Sequence, residues 1–73
     1  MSAVVSQTIP AMLTARRKEL GLSQREVGRR MTVSSATVCL LEQEKHDPRL
    51  WTLILWCKAL GLELSFVEAP RYG

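Results

Sequence analysis

The sequence lacks the features by which very small proteins usually reinforce a thin core. It has two cysteines, Cys39 and Cys57, among 73 residues. They are too few for a disulfide scaffold, lack metal-site spacing and fit a reducing cytoplasm. Because one core is marginal at this size, we expect the chain to gain stability by forming a homo-oligomer.

Long apolar runs, glycine-rich loops and clusters of reactive side chains are also missing. No stretch reaches the roughly 18 apolar residues of a membrane span, and no positive charge precedes Arg16, as a secretory signal would require. The sequence has no nucleophile–base pair, phosphate-binding loop or metal cluster. We therefore expect a cytoplasmic, non-enzymatic protein without cofactor, metal or membrane contact.

Positive charge is concentrated in the middle of the chain. The net charge is +3 at pH 7, and residues 16–49 hold eight of the ten basic but five of the seven acidic side chains. Lys18, Arg29 and Arg30 within this stretch are expected to form a solvated face. A basic surface on a small domain indicates an anionic partner such as nucleic acid.

Capping signals predict short helices within residues 8–61. Pro10 opens the first helix and Gly21 follows its end, which is the usual order of start and stop residues. Ser23 and Glu26 then form a capping box, in which the hydroxyl and the carboxylate can each satisfy an unpaired backbone N–H. This box predicts a second helix of about two turns.

Two more helices are predicted further along the chain. Ser34 can cap the third helix. Asp47 and Pro48 predict the N-cap and first residue of a fourth helix, which ends near Leu60. Residues 1–7 have no pattern and are expected to be a flexible N-terminus.

The second and third helices have the spacing of a helix-turn-helix, in which the second helix enters the DNA major groove. This geometry needs a small residue where the helices cross, and Gly28 lies at that position. It also needs apolar side chains that face inward. The residues that meet this need are Val27, Met31, Val33, Val38 and Leu41.

Three runs of residues match a known pattern. They are Leu20-Gly21-Leu22-Ser23-Gln24-Arg25-Glu26-Val27, Val33-Ser34-Ser35-Ala36-Thr37-Val38 and Leu41-Glu42. Over residues 9–61 the chain resembles the lambda-repressor-like (XRE-type) DNA-binding domains of bacteria and phages, which implies a mainly α, four-helix domain. The resemblance also implies that Gln24 touches a phosphate and braces the recognition helix, and that Arg17 pairs with Glu42.

Two residues depart from the pattern of that family. Thr32 and Glu44 stand where its members usually have glycine. Glycine takes a left-handed backbone without steric cost. Glu44 would therefore lie where glycine tolerates a left-handed backbone.

The outward side of the third helix is the candidate base-reading surface. Its first two turns have no arginine, asparagine or glutamine, so we expect weak direct readout, with more of the affinity from phosphate contacts and DNA shape. Ala36 or Leu40 can lie against a thymine methyl group. The candidate base contacts are Ser35, Ala36, Thr37, Cys39 and Leu40. The candidate phosphate contacts are Gln24, Arg25, Ser34, Lys45, His46 and Arg49, together with backbone N–H groups at the helix starts.

The C-terminal part predicts a dimer. Residues 62–69 largely alternate in polarity, as a strand does, and a lone strand after four helices lacks an intrachain partner. Pairing with a second copy across a two-fold axis would supply one, and residues 70–73 would form a tail. The stretch 60–65 resembles antitoxins that dimerise through such a strand and partner a serine/threonine-kinase toxin.

The fourth helix is apolar on almost every side. Cys57 is expected on its core face with Leu50, Leu53 and Ile54. The remaining apolar residues either complete the core or form a contact with a second copy, and tryptophan is favoured at interfaces. The predicted dimer interface is therefore Trp51, Leu55, Trp56, Leu62, Leu64 and Phe66.

Three functions fit these features. The leading hypothesis is a homodimeric, sequence-specific transcriptional repressor that binds double-stranded DNA at an inverted repeat and is the autoregulating antitoxin of a toxin–antitoxin operon, with a kinase-type toxin as a further partner. The first alternative is a stand-alone phage or bacterial repressor. The second is a protein-binding adaptor that has lost DNA binding.

Overall fold

Four helices make up the described part of the chain. The computed structural model describes residues 8–65. The helices are α1 (Ile9–Glu19), α2 (Gln24–Met31), α3 (Ser35–Glu42) and α4 (Leu50–Ala59). Residues 8–65 contain no strand, so this part is all-α, and the four-helix prediction is confirmed. None of these helices has the length and hydropathy that crossing a bilayer requires.

Side-chain caps define the starts of three helices. The hydroxyls of Thr8, Ser23 and Ser34 each accept a hydrogen bond from the backbone N–H three residues later. Each of these bonds satisfies one of the N–H groups that a helix start leaves unpaired. Local hydrogen bonding therefore explains why α1, α2 and α3 begin where they do.

The predicted capping box of α2 is only half formed. The Glu26 carboxylate accepts hydrogen bonds from Arg29 and Arg30 and does not return to the N-cap. Hydrogen bonding to Arg29, and then to Arg30, lowers the pKa of Glu26 to about 2. Arg30 also donates to the carbonyl oxygen of Ala59 at 3.0 Å. Arg30 is exposed, as the predicted solvated face requires, and it also joins α2 to the end of α4.

Helix α4 begins two residues later than predicted. Its N-cap is Arg49, which has an extended backbone and makes no side-chain cap. The prediction that Asp47 is the N-cap is therefore wrong. Pro48 and Leu53 line one small groove together with the first residues of α1, and they occupy the N′ and N4 positions of a hydrophobic staple.

The helices enclose a small core centred on Trp56. Its largest fully buried side chains are Trp56, Leu60, Val27 and Val38, and Cys57 is buried beside them as predicted. All five residues predicted to face inward in the helix-turn-helix do so. Val27, Met31 and Val38 are buried, while Val33 and Leu41 pack against the core from its edge.

The buried face of α4 differs from the predicted one. Trp56 is 0% exposed, so no second copy can touch it, and its predicted place in a dimer interface is wrong. Leu53, Trp56 and Leu60 recur at helical spacing and face the core. Leu50, predicted on that face, is 60% exposed, and Trp51 is 67% exposed. An all-apolar helix does not show by its pattern which side is buried.

Residues 62–65 lie beside α1 without forming a strand. Leu62 and Leu64 line a groove of about 460 Å³ together with Ile9 and Met12. The predicted strand 62–69 is therefore absent from its described half. The other half of this strand, which includes Phe66, lies outside the described residues. The predicted tail and the predicted flexible N-terminus also lie outside them. A strand that pairs only between copies has no partner in one chain, so pairing of this segment stays a prediction.

Thr32 and Glu44 both have a left-handed backbone, which the sequence predicted at position 44 only. Their φ angles are 63° and 60°. A left-handed conformation costs a residue with a Cβ about 1–2 kcal/mol, and the β-branched side chain of Thr32 makes that position a marked outlier. Each residue follows a helix of the helix-turn-helix directly or within two positions, so the strain is next to the candidate DNA surface.

Replacement of Thr32 by glycine is expected to stabilise the protein. Relief of the left-handed strain outweighs the added entropy of the unfolded chain, so the free energy of unfolding should rise by about 0.5–1 kcal/mol. Urea denaturation followed by circular dichroism measures this change. Thr52→Gly is the matched control, because Thr52 lies within α4 and glycine there should destabilise by up to about 1 kcal/mol. Destabilisation by both substitutions would show that Thr32 is unstrained.

Candidate nucleic-acid interface

Close backbone contact sets the angle between α2 and α3. Gly28 is buried where the two helices meet, and a Cβ at that position would lie 2.7 Å from the carbonyl oxygen of Val33. The Val33 N–H donates to the Gly28 carbonyl oxygen at 2.8 Å. Any larger residue at position 28 would push the turn away from α2. The prediction that the crossing requires a small residue is confirmed.

A partly buried ion pair attaches α3 to α1. The Arg17 guanidinium donates two hydrogen bonds to the Glu42 carboxylate, one from Nε to Oε2 at 2.6 Å and one from Nη2 to Oε1 at 3.1 Å. A third bond runs from Arg17 Nη1 to the Leu22 carbonyl oxygen at 2.8 Å. The side chains of Arg17 and Glu42 are only 13% and 7% exposed. The pair that the resemblance implied is therefore a structural pair in a partly desolvated site.

Gln24 joins this pair from α2. Its Nε2 donates to Oε1 of Glu42 at 3.0 Å. Burial would raise the pKa of Glu42, but the hydrogen bonds from Arg17 and Gln24 lower it below its usual value. The hydrogen bond to Glu42 raises the pKa of Arg17. Both groups are therefore charged at neutral pH, and the three residues hold α1, α2 and α3 together.

The outward side of α3 is mostly short or apolar. Ser35, Ala36 and Leu40 are exposed, while Thr37 and Cys39 are half-buried. The hydroxyl of Thr37 lies 3.0 Å from that of Ser34, which also caps the helix. All five predicted base contacts are therefore on α3, but Thr37 already has an internal hydrogen-bond partner.

The predicted phosphate contacts fall into two groups. Gln24 and Ser34 have internal partners, the Glu42 carboxylate and the Thr37 N–H. The other four are exposed: Arg25, Lys45, His46 and Arg49. Their basic side chains form no ion pair within residues 8–65. The exposed group lies in the first turn of α2 and in the α3–α4 loop.

A contact that the sequence did not reveal holds this loop. The Thr8 hydroxyl, which caps α1, also donates to the Glu44 carboxylate. The two residues are 36 positions apart, and no local pattern links a helix cap to a distant loop. The contact attaches the segment with Lys45 and His46 to the start of α1.

The two thiols differ in environment, and this difference predicts their reactivity. Burial raises the pKa of the Cys57 thiol, whereas Cys39 is half-buried on the outward part of α3. A thiol reagent should modify Cys39 rapidly and Cys57 only after unfolding, as measured by mass spectrometry of the intact protein. If α3 binds DNA, a bound duplex should slow the modification of Cys39 severalfold. Equal rates with and without DNA would place α3 outside the interface.

The described residues contain no group of three His, Cys, Asp or Glu side chains able to hold a metal ion. The arrangement instead presents a rigid, weakly polar helix next to exposed basic side chains. Such a surface has groups for the major groove and for phosphates.

Comparison with known proteins identifies the class. A family model described as helix-turn-helix matches residues 13–67, and the chain belongs to this family. It is the DNA-binding XRE, or lambda-repressor-like, family that the sequence motifs resembled. Its members are non-enzymatic antitoxins and repressors, which confirms the expectation that the chain is not an enzyme.

Two curated relatives are similar over most of the chain. Both are called antitoxin HigA1, from Mycobacterium tuberculosis strains CDC 1551 / Oshkosh and ATCC 25618 / H37Rv. Each is 46% identical over 59 residues, which cover 80% of this chain and 40% of the relative. The chain thus matches less than half the length of these relatives. Their name differs from that of the kinase-toxin antitoxins, so the finer resemblance of residues 60–65 is not shown.

A solved structure shares the fold. The phage P22 c2 repressor, crystallised with the synthetic operator 9T in the presence of Tl⁺, superimposes with a TM-score of 0.71 at 28% sequence identity. The similarity covers 80% of this chain and 88% of that one. The fold is therefore lambda-repressor-like, and the chain is a helix-turn-helix DNA-binding domain.

Proposed function

We propose that this protein is a sequence-specific transcriptional repressor that inserts α3 into the major groove of operator DNA. The observation that supports the proposal most directly is the weakly polar, exposed side of α3 next to basic residues that form no ion pair among residues 8–65. The Arg17–Glu42–Gln24 brace holds this helix in place. The shared fold with the P22 c2 repressor, which was crystallised with a synthetic operator, supports the same use of the surface.

The repressor acts as a homodimer on an inverted repeat in this proposal. Two copies would place their α3 helices about 34 Å apart in successive major grooves. Trp51, Leu62 and Leu64 support a dimer, because they are large apolar residues that the single chain leaves exposed. Leu55 contributes less, because it already packs partly against the core. Among the described residues, Glu63, Leu64 and Ser65 donate no backbone hydrogen bond. The backbone N–H groups of this segment are therefore available to pair with the same segment of a second copy.

We further propose that the protein is an antitoxin that represses its own operon. Two curated relatives that it matches bear that name. The expected partner is a toxin, and the idea that it is a kinase rests only on the short resemblance at residues 60–65. A stand-alone repressor is the second candidate, favoured by the similarity to the c2 repressor. Co-purification of a protein encoded next to this gene separates the two. A repressor without a toxin retains no such protein.

A salt series tests DNA binding. Fluorescence anisotropy with a duplex from upstream of the gene should show affinity falling steeply with salt. Arg25→Ala and Lys45→Ala should each weaken binding to all sequences and lower the salt slope by about one. Lys58→Ala is the matched control, because Lys58 is exposed at the other end of α4 and its loss should change little. A salt-independent affinity would contradict this mechanism, and failure to bind any duplex at low salt would favour the adaptor alternative.

A further inference from the structure

Each of the last four carbonyl groups at the end of α4 accepts a hydrogen bond. These groups have no partner further along the helix. The Leu62 N–H donates to the Cys57 carbonyl oxygen at 2.8 Å. The Gly61 N–H donates to the Lys58 carbonyl oxygen at 3.1 Å. With Gly61 at a φ angle of 71°, these two bonds form a Schellman motif that ends the helix.

The other two carbonyl groups bind arginines from α1 and α2. Arg30 in α2 donates from Nη1 to the carbonyl oxygen of Ala59 at 3.0 Å. Arg16 in α1 donates from Nε to the carbonyl oxygen of Leu60 at 3.3 Å. Both bonds are partly buried, and a charged donor makes them stronger than bonds between neutral groups. Side chains from two other helices therefore hold the end of α4.

These two bonds fix the exit of the C-terminal segment, residues 62–65, relative to the candidate recognition helix. Arg16 is next to Arg17, whose guanidinium binds Glu42 of α3. Arg30 lies on α2, which meets the start of α3 in close backbone contact. The direction in which the C-terminal segment leaves α4 is therefore tied to α3 through both α1 and α2.

We propose that Arg16 and Arg30 are positioning residues that set the half-site spacing accepted by the dimer. The proposal rests on the proposed function, in which two copies pair through the C-terminal segment and bind an inverted repeat. Two binding units on a rigid link bind together only at the spacing that matches the link, whereas a flexible link tolerates several spacings. One base pair moves a half-site by about 3.4 Å and rotates it by about 35°.

Inverted repeats with varied spacers test this inference. The full chain first selects its preferred inverted repeat from a randomised library, and the spacer is then lengthened or shortened by single base pairs. Wild type should bind one spacer about tenfold or more tightly than its neighbours. Arg16→Met and Arg30→Met each keep an apolar stem but remove the donors. In each variant the same spacers should bind within about threefold of one another.

Two matched controls change the surface ion pairs of the same region and leave the bonds to α4 in place. Glu19→Ala removes the carboxylate that Arg16 binds at 3.1 Å. Arg29→Met removes the other arginine that binds Glu26. Both controls should keep the wild-type spacing preference. Because the preference is a ratio measured within each variant, a general loss of affinity through lost charge cancels.

Amide hydrogen exchange of the DNA-free protein gives a second measurement. The N–H groups of Gly61 and Leu62 should exchange severalfold faster in Arg16→Met and Arg30→Met than in the two controls, because the end of α4 frays without these partners. Circular dichroism establishes that each variant is folded. If one arginine variant does not fold, the other decides the test.

The outcomes separate the two proposals. If wild type selects no inverted repeat, the dimeric repressor fails and the inference fails with it. If wild type selects a repeat but tolerates every spacer, or if the arginine variants keep its preference and its exchange rates, the inference alone is overturned. Loss of the spacing preference confined to the arginine variants supports the inference.

Discussion

Replacement of Trp56 by alanine is expected to lower the free energy of unfolding by about 3–5 kcal/mol. The side chain is fully buried and packs at the centre of the core, so its removal loses the transfer free energy and leaves a cavity. The loss is comparable with the whole stability of a small domain. Urea denaturation followed by circular dichroism should therefore show a largely unfolded protein even without denaturant.

Trp51 provides the matched control on the same helix. It is 67% exposed, so Trp51→Ala should change the free energy of unfolding of the monomer by no more than about 0.5 kcal/mol. If Trp51 lies in the dimer contact, the same substitution should weaken dimerisation in sedimentation equilibrium. Equal destabilisation of the monomer by the two substitutions would contradict the assignment of Trp56 alone to the core.

The indole N–H of Trp56 allows a finer test. This buried group has no hydrogen-bond acceptor among the described residues. Trp56→Phe removes the unpaired donor while it keeps an aromatic ring, so it should cost clearly less than Trp56→Ala.

Removal of Glu42 is the second substitution with a large expected effect. Glu42→Ala leaves the Arg17 guanidinium charged in a site where its side chain is only 13% exposed. Loss of one partner from a fully buried pair typically costs about 3–5 kcal/mol, and because this pair is partly buried we expect a cost near or below the lower end of that range. Thermal and urea denaturation measure the loss. Glu19→Ala is the matched control, because Glu19 belongs to a surface pair, is 71% exposed, and should cost less than about 1 kcal/mol.

The combined replacement of both partners distinguishes an ion pair from simple packing. Arg17→Met with Glu42→Leu removes both charges and keeps apolar volume. The double variant should be more stable than Glu42→Ala by more than 1 kcal/mol, because no unpaired charge is left. A double variant as unstable as the single one would show that packing, and not the uncompensated charge, sets the cost.

The same pair predicts how stability depends on pH. The folded-state pKa of Glu42 lies below its ordinary value of 4.5. Its contribution to stability is therefore fully present above the unfolded-state pKa and is lost as the pH falls through that value toward the folded-state pKa. The pKa of Glu26 is lowered from 4.5 to about 2, so its contribution to stability is lost in the same direction, as the pH falls through that range. Wild type should lose stability below about pH 5, and Glu42→Ala should lose less.

Predictions from the sequence succeeded where the governing interactions are local. The caps by Ser23 and Ser34 depend on a hydroxyl and an N–H three residues away, so the sequence contains all that is needed. The inward positions of α2 and α3 follow from a periodicity that polar neighbours make clear. The left-handed backbone at Glu44 was predicted from the family resemblance, because members of the family usually have glycine at that position.

The sequence by itself thus determined the helix-turn-helix and its inward side chains, because neighbours in the chain create those features. Only the tertiary structure decided which side of α4 is buried, since a helix apolar on every side has several faces of similar hydrophobicity and packing against α2 selects one. It also decided that Glu26 binds Arg29 and Arg30, that Thr8 holds Glu44, and that α4 starts after Pro48. Each of these depends on a competition among partners that are close only after the chain has folded.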